Sequence, residues 1–175
     1  MAEISDVMPV KLFIGIIFKD EEIKIKNEVE NIYGKIDYMS PIFPFEFTDY
    51  YKGEMGNNLL RRFYSFETLI VPDMIVDIKL MTNELEKKFL EENKRKVNLD
   101  PGYMDYHKIV LPSAKFGGQK VYLGKGIYGD ITLWYEKGKF KPFPWTFLDF
   151  KSGLYDKVFL EMRTKYKRQI VKREA

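Results

Sequence analysis

The sequence predicts an α/β (α+β) domain in which a mixed β-sheet is flanked by helices. Three observations carry that reading. Val10-Lys-Leu-Phe-Ile-Gly-Ile-Ile-Phe18 is an almost unbroken run of apolar, β-branched and aromatic residues, as a central strand covered on both faces requires. Residues 20–33 and 73–92 instead repeat apolar side chains at helical spacing. Between and after them, short runs punctuated by glycine and proline read as strands and turns.

Composition narrows the classes. A chain of 175 residues suits one domain, 1–175, with a sizeable core, and is short for two. With 45% apolar and 31% charged residues it is globular rather than disordered. Cysteine is absent, which excludes disulfides, thiolate metal sites and a Cys nucleophile. The single histidine, His107, excludes a two-histidine zinc site. A net charge of +3 is too mild to imply nucleic-acid binding by itself. The amino-terminal residues lack the apolar core of a signal peptide, and no run approaches the ~18 apolar residues of a membrane span. A cytoplasmic protein without a membrane partner is therefore expected. Abundant Lys and Glu, without Cys, lean toward a thermophilic source.

Each element has its own warrant. After the first strand, Asp20 suits an N-cap, Glu21 and Glu22 suit the positive end of a helix dipole, and Gly34 ends the stripe Ile25, Val29, Ile32. In 40–51 two prolines exclude a central strand, leaving an edge with Phe43, Phe45 and Phe47 on one face. Pro72 and Asp73 open a helix with the stripe Met74, Ile78, Met81, Leu85 and Phe89; Asn83, Glu84 and Glu86 are left to solvent. Val97 to Asp100 alternates at period two. A type II turn should follow, because Pro101 presets φ and Gly102 accepts a positive one. Residues 106–111 form another strand, then a meander runs over 121–123, 127–135 and 139–143 with turns at Gly124, Gly126 and Gly138. In its middle strand Ile127, Ile131, Leu133 and Tyr135 share one face; Tyr128, Asp130, Thr132 and Trp134 share the other. Ser152 caps a last helix near 153–170, with the stripe Leu154, Val158, Met162 and Tyr166 and a basic tail.

Candidate chemistry gathers at few positions. Asp100 stands at the mouth of a strand, beside Asn98 and before Tyr103, where open α/β sheets tend to place ligands. Its plainer role is to hydrogen-bond the turn. Glu46, Asp49 and Glu54 around Tyr50 and Tyr51 would make an acidic, ring-lined cleft wall, or simply flank an aromatic edge strand. Arg61 and Arg62 suit phosphate or carboxylate, and equally a structural ion pair. Asp130, set among rings, needs a partner or a purpose. His107 is most simply structural.

Several blocks resemble an uncharacterised bacterial family known as a domain of unknown function. They are Pro9-Val-Lys-Leu-Phe13, Ser40-Pro41 with Phe43-Pro44-Phe45, Phe47-Thr-Asp-Tyr-Tyr51, Glu54-Met-Gly56, Ser65-Phe66-Glu67 and Thr82-Asn-Glu84. Val97-Asn-Leu-Asp-Pro-Gly-Tyr103, Tyr122-Leu123, Gly126-Ile-Tyr128 and Pro144-Trp-Thr146 continue the series. The resemblance implies a ribonuclease H-like fold and a nuclease role, in which clustered carboxylates hold two divalent ions that activate water and stabilise the leaving oxygen. That group normally carries one carboxylate in its first strand. Residues 11–18 have none, and the meander comes late in the chain rather than first.

Two functional readings result. In the first, a divalent-metal-dependent nucleic-acid hydrolase uses Asp100, Asp49 and Asp130 catalytically. Asp100, Asp49 and Glu54 would hold Mg²⁺ or Mn²⁺, while Arg61, Arg62, Lys115, Asn98, Tyr50 and Tyr103 meet the nucleic acid. In the second, the aromatic and acidic cleft is a non-catalytic module for a small molecule or a protein. Gly124-Lys-Gly126 lacks phosphate-loop spacing, and dinucleotide motifs are absent.

Overall fold

β1 (Val10–Phe18) is buried along all nine of its residues. A run without polar alternation is satisfied only between two covered faces. The structure, a computed structural model, describes Met1 and residues 3–174. After β1 come α1 (Glu22–Tyr33), β2 (Ile36–Met39), β3 (Phe43–Pro44), the short α2 (Lys52–Met55) and the long β4 (Leu60–Ile70). Helix α3 (Ile75–Lys87) leads to a hairpin of β5 (Leu90–Glu91) and β6 (Lys94–Arg95). β7 (Asn98–Met104), β8 (Lys108–Ser113), β9 (Val121–Gly124), β10 (Ile127–Glu136), β11 (Lys139–Pro142), α4 (Leu148–Lys151) and α5 (Asp156–Glu174) follow.

The nine-stranded sheet is ordered β11-β10-β8-β7-β1-β4-β2, with β3 beside β4 and β9 beside β10. Every pairing in it is antiparallel, where a mixed sheet is expected from the sequence. Two split crossovers explain the difference. Helix α1 leads from β1 to β2, which runs in the same direction, and α3 leads from β4 to β7 in the same way. β4 fills the slot between the first pair and β1 the slot between the second, so no parallel neighbours remain.

Both crossover helices cover one face, where Leu12, Ile14 and Ile16 pack with Ile25 and Val29 of α1 and Ile75, Ile78 and Leu85 of α3. The other face packs Phe13 and Phe63 against Val158, Phe159 and Met162 of α5. At the far end of that face a third cluster takes over: Ile17, Phe45, Met55 and Leu59. The 45–59 segment is thus a cover for the end of the sheet.

Several local expectations are corrected. Asp-Pro-Gly does not end its strand; β7 continues through Pro101 and Gly102 to Met104. The Leu99 N–H points away from β1, to the Glu86 carboxylate, and Pro101 shares that side two residues on. β8 joins β7 only at Tyr103 and Met104, so the missing proline N–H faces an edge with no strand to bond. Gly102 serves close packing rather than a turn. A Cβ there would lie 2.6 Å from Leu111 Cδ2 and nearer still to Phe13 Cζ.

Helix boundaries shift for stated reasons. α1 starts at Glu22 with Glu21, not Asp20, at its N-cap. Glu92 and Asn93, at φ 48° and 59°, turn the chain into a hairpin, so α3 ends at Lys87 rather than near 92. Its buried face is Ile75, Ile78, Thr82, Leu85 and Glu86, which leaves Met74 and Met81 exposed. Gly153, at φ 78°, interrupts the last helix, so Ser152 closes α4 and α5 begins at Asp156. In β10 a register shift between Ile131 and Leu133 moves Leu133 and Tyr135 onto the α5 side and leaves Trp134 exposed. Among the described residues no helix is long and apolar enough to cross a membrane.

Gly102→Ala is expected to cost about 1–3 kcal/mol through overpacking against Phe13 and Leu111. Urea unfolding would measure it; an unchanged midpoint would show that the contact yields freely.

Candidate functional site

Strand alternation sends the paired arginines of β4 to opposite faces. Arg62, opposite Ile16, pairs with Glu22 and donates from Nε to the Ser40 carbonyl at 2.7 Å. Arg61, opposite Ile17, lies on the α5 face and is only 4% exposed. Gly15 clears the space for it, since a Cβ at that position would stand 2.9 Å from Arg61 Nη2. The rings of Phe45, Phe63 and Phe150 surround the guanidinium, with Cζ 5.4, 5.1 and 5.8 Å from their centroids.

A cation so enclosed needs counter-charge. Asp100, on the neighbouring face position of β7, is 3.3 Å from Nη2, and Asp149 of α4 is 3.8 Å from Nη1. Burial works against the charged guanidinium, but the two carboxylates outweigh it and hold the pKa above the ordinary arginine value. Burial pushes the Asp149 carboxyl up, with Arg61 opposing. Arg61 Nε, Asn98 Nδ2 and the Tyr155 hydroxyl are buried without hydrogen-bond partners among the described residues.

A second polar group adjoins the first along the unpaired start of β7. Here side chains stand in for the missing strand. Glu86 Oε1 accepts from the Leu99 N–H at 2.6 Å, and Lys79 Nζ reaches the Leu99 carbonyl at 3.5 Å. Arg95, from the hairpin, donates through Nη1 to Asn98 Oδ1 at 3.0 Å and to Glu86 Oε2 at 3.3 Å. Its Nε and Nη2 both donate to Glu54 Oε2, at 3.2 and 2.8 Å. Burial raises the Glu86 carboxyl above the usual range. The Glu54 side chain is 51% exposed, so its pair with Arg95 is worth roughly 0–1 kcal/mol. Tyr50, Glu54, Asn83, Glu86, Leu90 and Arg95 line an open cleft of about 580 Å³ at this point.

The residues singled out in the sequence are only partly united. Asp100, Arg61 and Asn98 share one sheet face, and Glu54 joins them through Arg95. Tyr50 sits at the cleft and packs under Lys115, whose Nζ is 4.4 Å from the ring centroid. Asp130 faces the same side as Asp100, but β8 lies between them, a separation on the order of 10 Å at ordinary strand spacing. Burial raises the Asp130 carboxyl; Oδ2 is 4.0 Å from Lys120 and Oδ1 has no partner among the described residues. Asp49 is a surface residue paired with Lys52, Tyr103 packs against the opposite core, and Arg62 is spent on Glu22.

These donors do not fit a Mg²⁺ or Mn²⁺ centre. Among the described residues no group of three or more His, Cys, Asp or Glu is placed to hold a metal ion. Asp100 and Asp130 each face a resident cation instead, and a two-metal centre needs carboxylates that bridge ions ~4 Å apart.

Glu86, Arg95 and Asp149 are the residues that sequence reasoning missed. Glu86 follows Ile78 and Thr82 at intervals of four, which places it on the buried side of α3. Glu86→Ala should orphan the buried Leu99 N–H and cost about 1–3 kcal/mol, whereas Glu86→Gln keeps an acceptor and should cost less. Because folding raises the Glu86 pKa, its protonated form stabilises, and that contribution is lost as pH rises through the folded value. Wild type should therefore gain on Glu86→Gln as pH falls from 7 toward the ordinary carboxylate range. Chemical denaturation at both pH values checks the sign, and a gap that widens with rising pH would contradict it.

Searches of curated proteins and of solved structures return no match. A family model described as Domain of unknown function (DUF4416) matches residues 8–166, which takes in β1 through most of α5 and both halves of the polar site. The chain belongs to this family of unknown function.

Proposed function

We propose that the chain is a non-catalytic binding module for a small polar molecule, held in the cleft between α3, the β5–β6 hairpin and the turn at 50–54. The observation that carries the reading is the unequal burial of the cleft walls. Glu86 and Asn98 are buried and hold Arg95 from behind, while Tyr50, Glu54 and Leu90 in front are exposed to solvent. A volume of about 580 Å³ lies within the ~300–1,000 Å³ of small-molecule sites, and convergent polar groups beside a ring and a leucine suit a ligand with one polar end.

The rival is a Mg²⁺- or Mn²⁺-dependent nuclease of ribonuclease H-like fold, favoured by Asp100 and Asp130 sharing a sheet face. Weighing against it are the cations beside both carboxylates.

The test is a thermal-shift screen of small polar compounds on wild type and on Asn83→Trp, which fills the cleft from α3. Hits that raise Tm in wild type and not in the variant are expected, by mass action. Mg²⁺ and Mn²⁺ should leave Tm unchanged and support no phosphodiester cleavage. Metal-linked stabilisation that Asp100→Asn removes would overturn the module and reinstate the nuclease.

A further inference from the structure

We infer that the cleft is built for an anion with two oxygens on one centre, a carboxylate or a phosphate monoester, which replaces Glu54 on Arg95. The inference rests on the binding-module reading and names its ligand class.

Arg95 is held as a receptor would be. Nη1 is fixed from behind by Asn98 Oδ1 and Glu86, and the ring of Tyr51 lies 5.5 Å from its Cζ. The outward edge, Nε and Nη2, is a two-donor fork, and both donors converge on the single oxygen Glu54 Oε2. Guanidinium forks are matched best by two parallel acceptors, so the resident carboxylate uses the fork incompletely. Glu54 stands on a four-residue helix and is half-exposed, so it can leave for water without desolvation cost.

What remains after that exchange also favours an anion. Lys87 lines the same cleft; its Nζ is 2.7 Å from Glu84 Oε1 in an exposed pair that water and salt screen, so it too can exchange its partner for an anion. Asn98, 4% exposed, holds Arg95 Nη1 through Oδ1 at 3.0 Å, so the fork keeps its aim when Glu54 leaves. Tyr50 and Leu90 at the mouth offer an apolar surface to whatever carries the anionic group. One fork and one lysine accommodate one such group. They do not form the stripe of cations that a nucleic-acid backbone requires.

The experiment titrates phenyl phosphate, inorganic phosphate and benzylamine into the whole protein, following backbone amide shifts of residues 50–54 and 86–98. Glu54→Gln and Arg95→Lys are titrated alongside. Phenyl phosphate should bind better than inorganic phosphate. Glu54→Gln should tighten it about threefold or more, by removing the competing carboxylate, and Arg95→Lys, which keeps the charge and loses the fork, should weaken it about tenfold. Benzylamine binding that Glu54→Gln abolishes would overturn the anion class and leave the module standing. Phenyl phosphate binding that is unchanged in both variants would place the anion elsewhere and overturn the inference. If neither ring-bearing probe shifts the cleft while other compounds in the thermal screen do, the ligand class is wrong; if nothing occupies the cleft, the module reading fails with it.

Discussion

A buried guanidinium is the constraint from which the site end of this molecule follows. Removing Arg61 from water among Phe45, Phe63 and Phe150 is costly unless charge of the opposite sign accompanies it. Asp100 comes from β7 and Asp149 from α4, so one side chain commits two distant segments to the same place. Gly15 in the central strand is the geometric counterpart, since any side chain there would collide with the guanidinium. The cover at 148–151 is thereby tied to the sheet by charge as well as by rings, and the cover at 45–59 by the Phe45 ring.

The unpaired edge of β7 is the second constraint, and it links fold to cleft. A strand with one neighbour must satisfy its outward backbone groups in some other way. At Leu99 this falls to Glu86 and Lys79 of α3, and at residue 101 to a proline that has no N–H to satisfy. Placing Glu86 there brings an acid beside Arg95, and Arg95 in turn reaches Asn98 and Glu54. The cleft is therefore a by-product of how the sheet ends, with its inner wall made of groups that the fold already requires.

Much of this architecture is legible in the sequence where burial dictates residue type. Val10–Phe18 admits only a doubly covered strand, and Gly34 does cap α1, with its N–H on the Glu30 carbonyl at 3.0 Å. Legibility fails where a residue has two physical uses. Pro101-Gly102 satisfies turn chemistry and also suits an edge strand pressed against Phe13, and nothing local separates the two. Alternation told which face Asp130 takes but not that a bulge would shift Leu133 and Tyr135 to its side. Asp100 and its tertiary partner Arg61 each stand out by charge, but their meeting is set by register between β7, β1 and β4, which no single stretch encodes. Arg95, lying between Lys94 and Lys96, carries no local signal at all.

The claim that the carboxylates serve as counter-charges to Arg61, rather than as metal ligands, is tested most directly by a double-mutant cycle. Arg61→Met alone should cost about 3–5 kcal/mol at neutral pH, because it leaves buried carboxylate unpaired. Asp149→Leu in the same background should restore part of that loss, giving a coupling of about 1–3 kcal/mol in denaturant unfolding. Strict additivity of the two substitutions, within about 0.5 kcal/mol, would contradict the account.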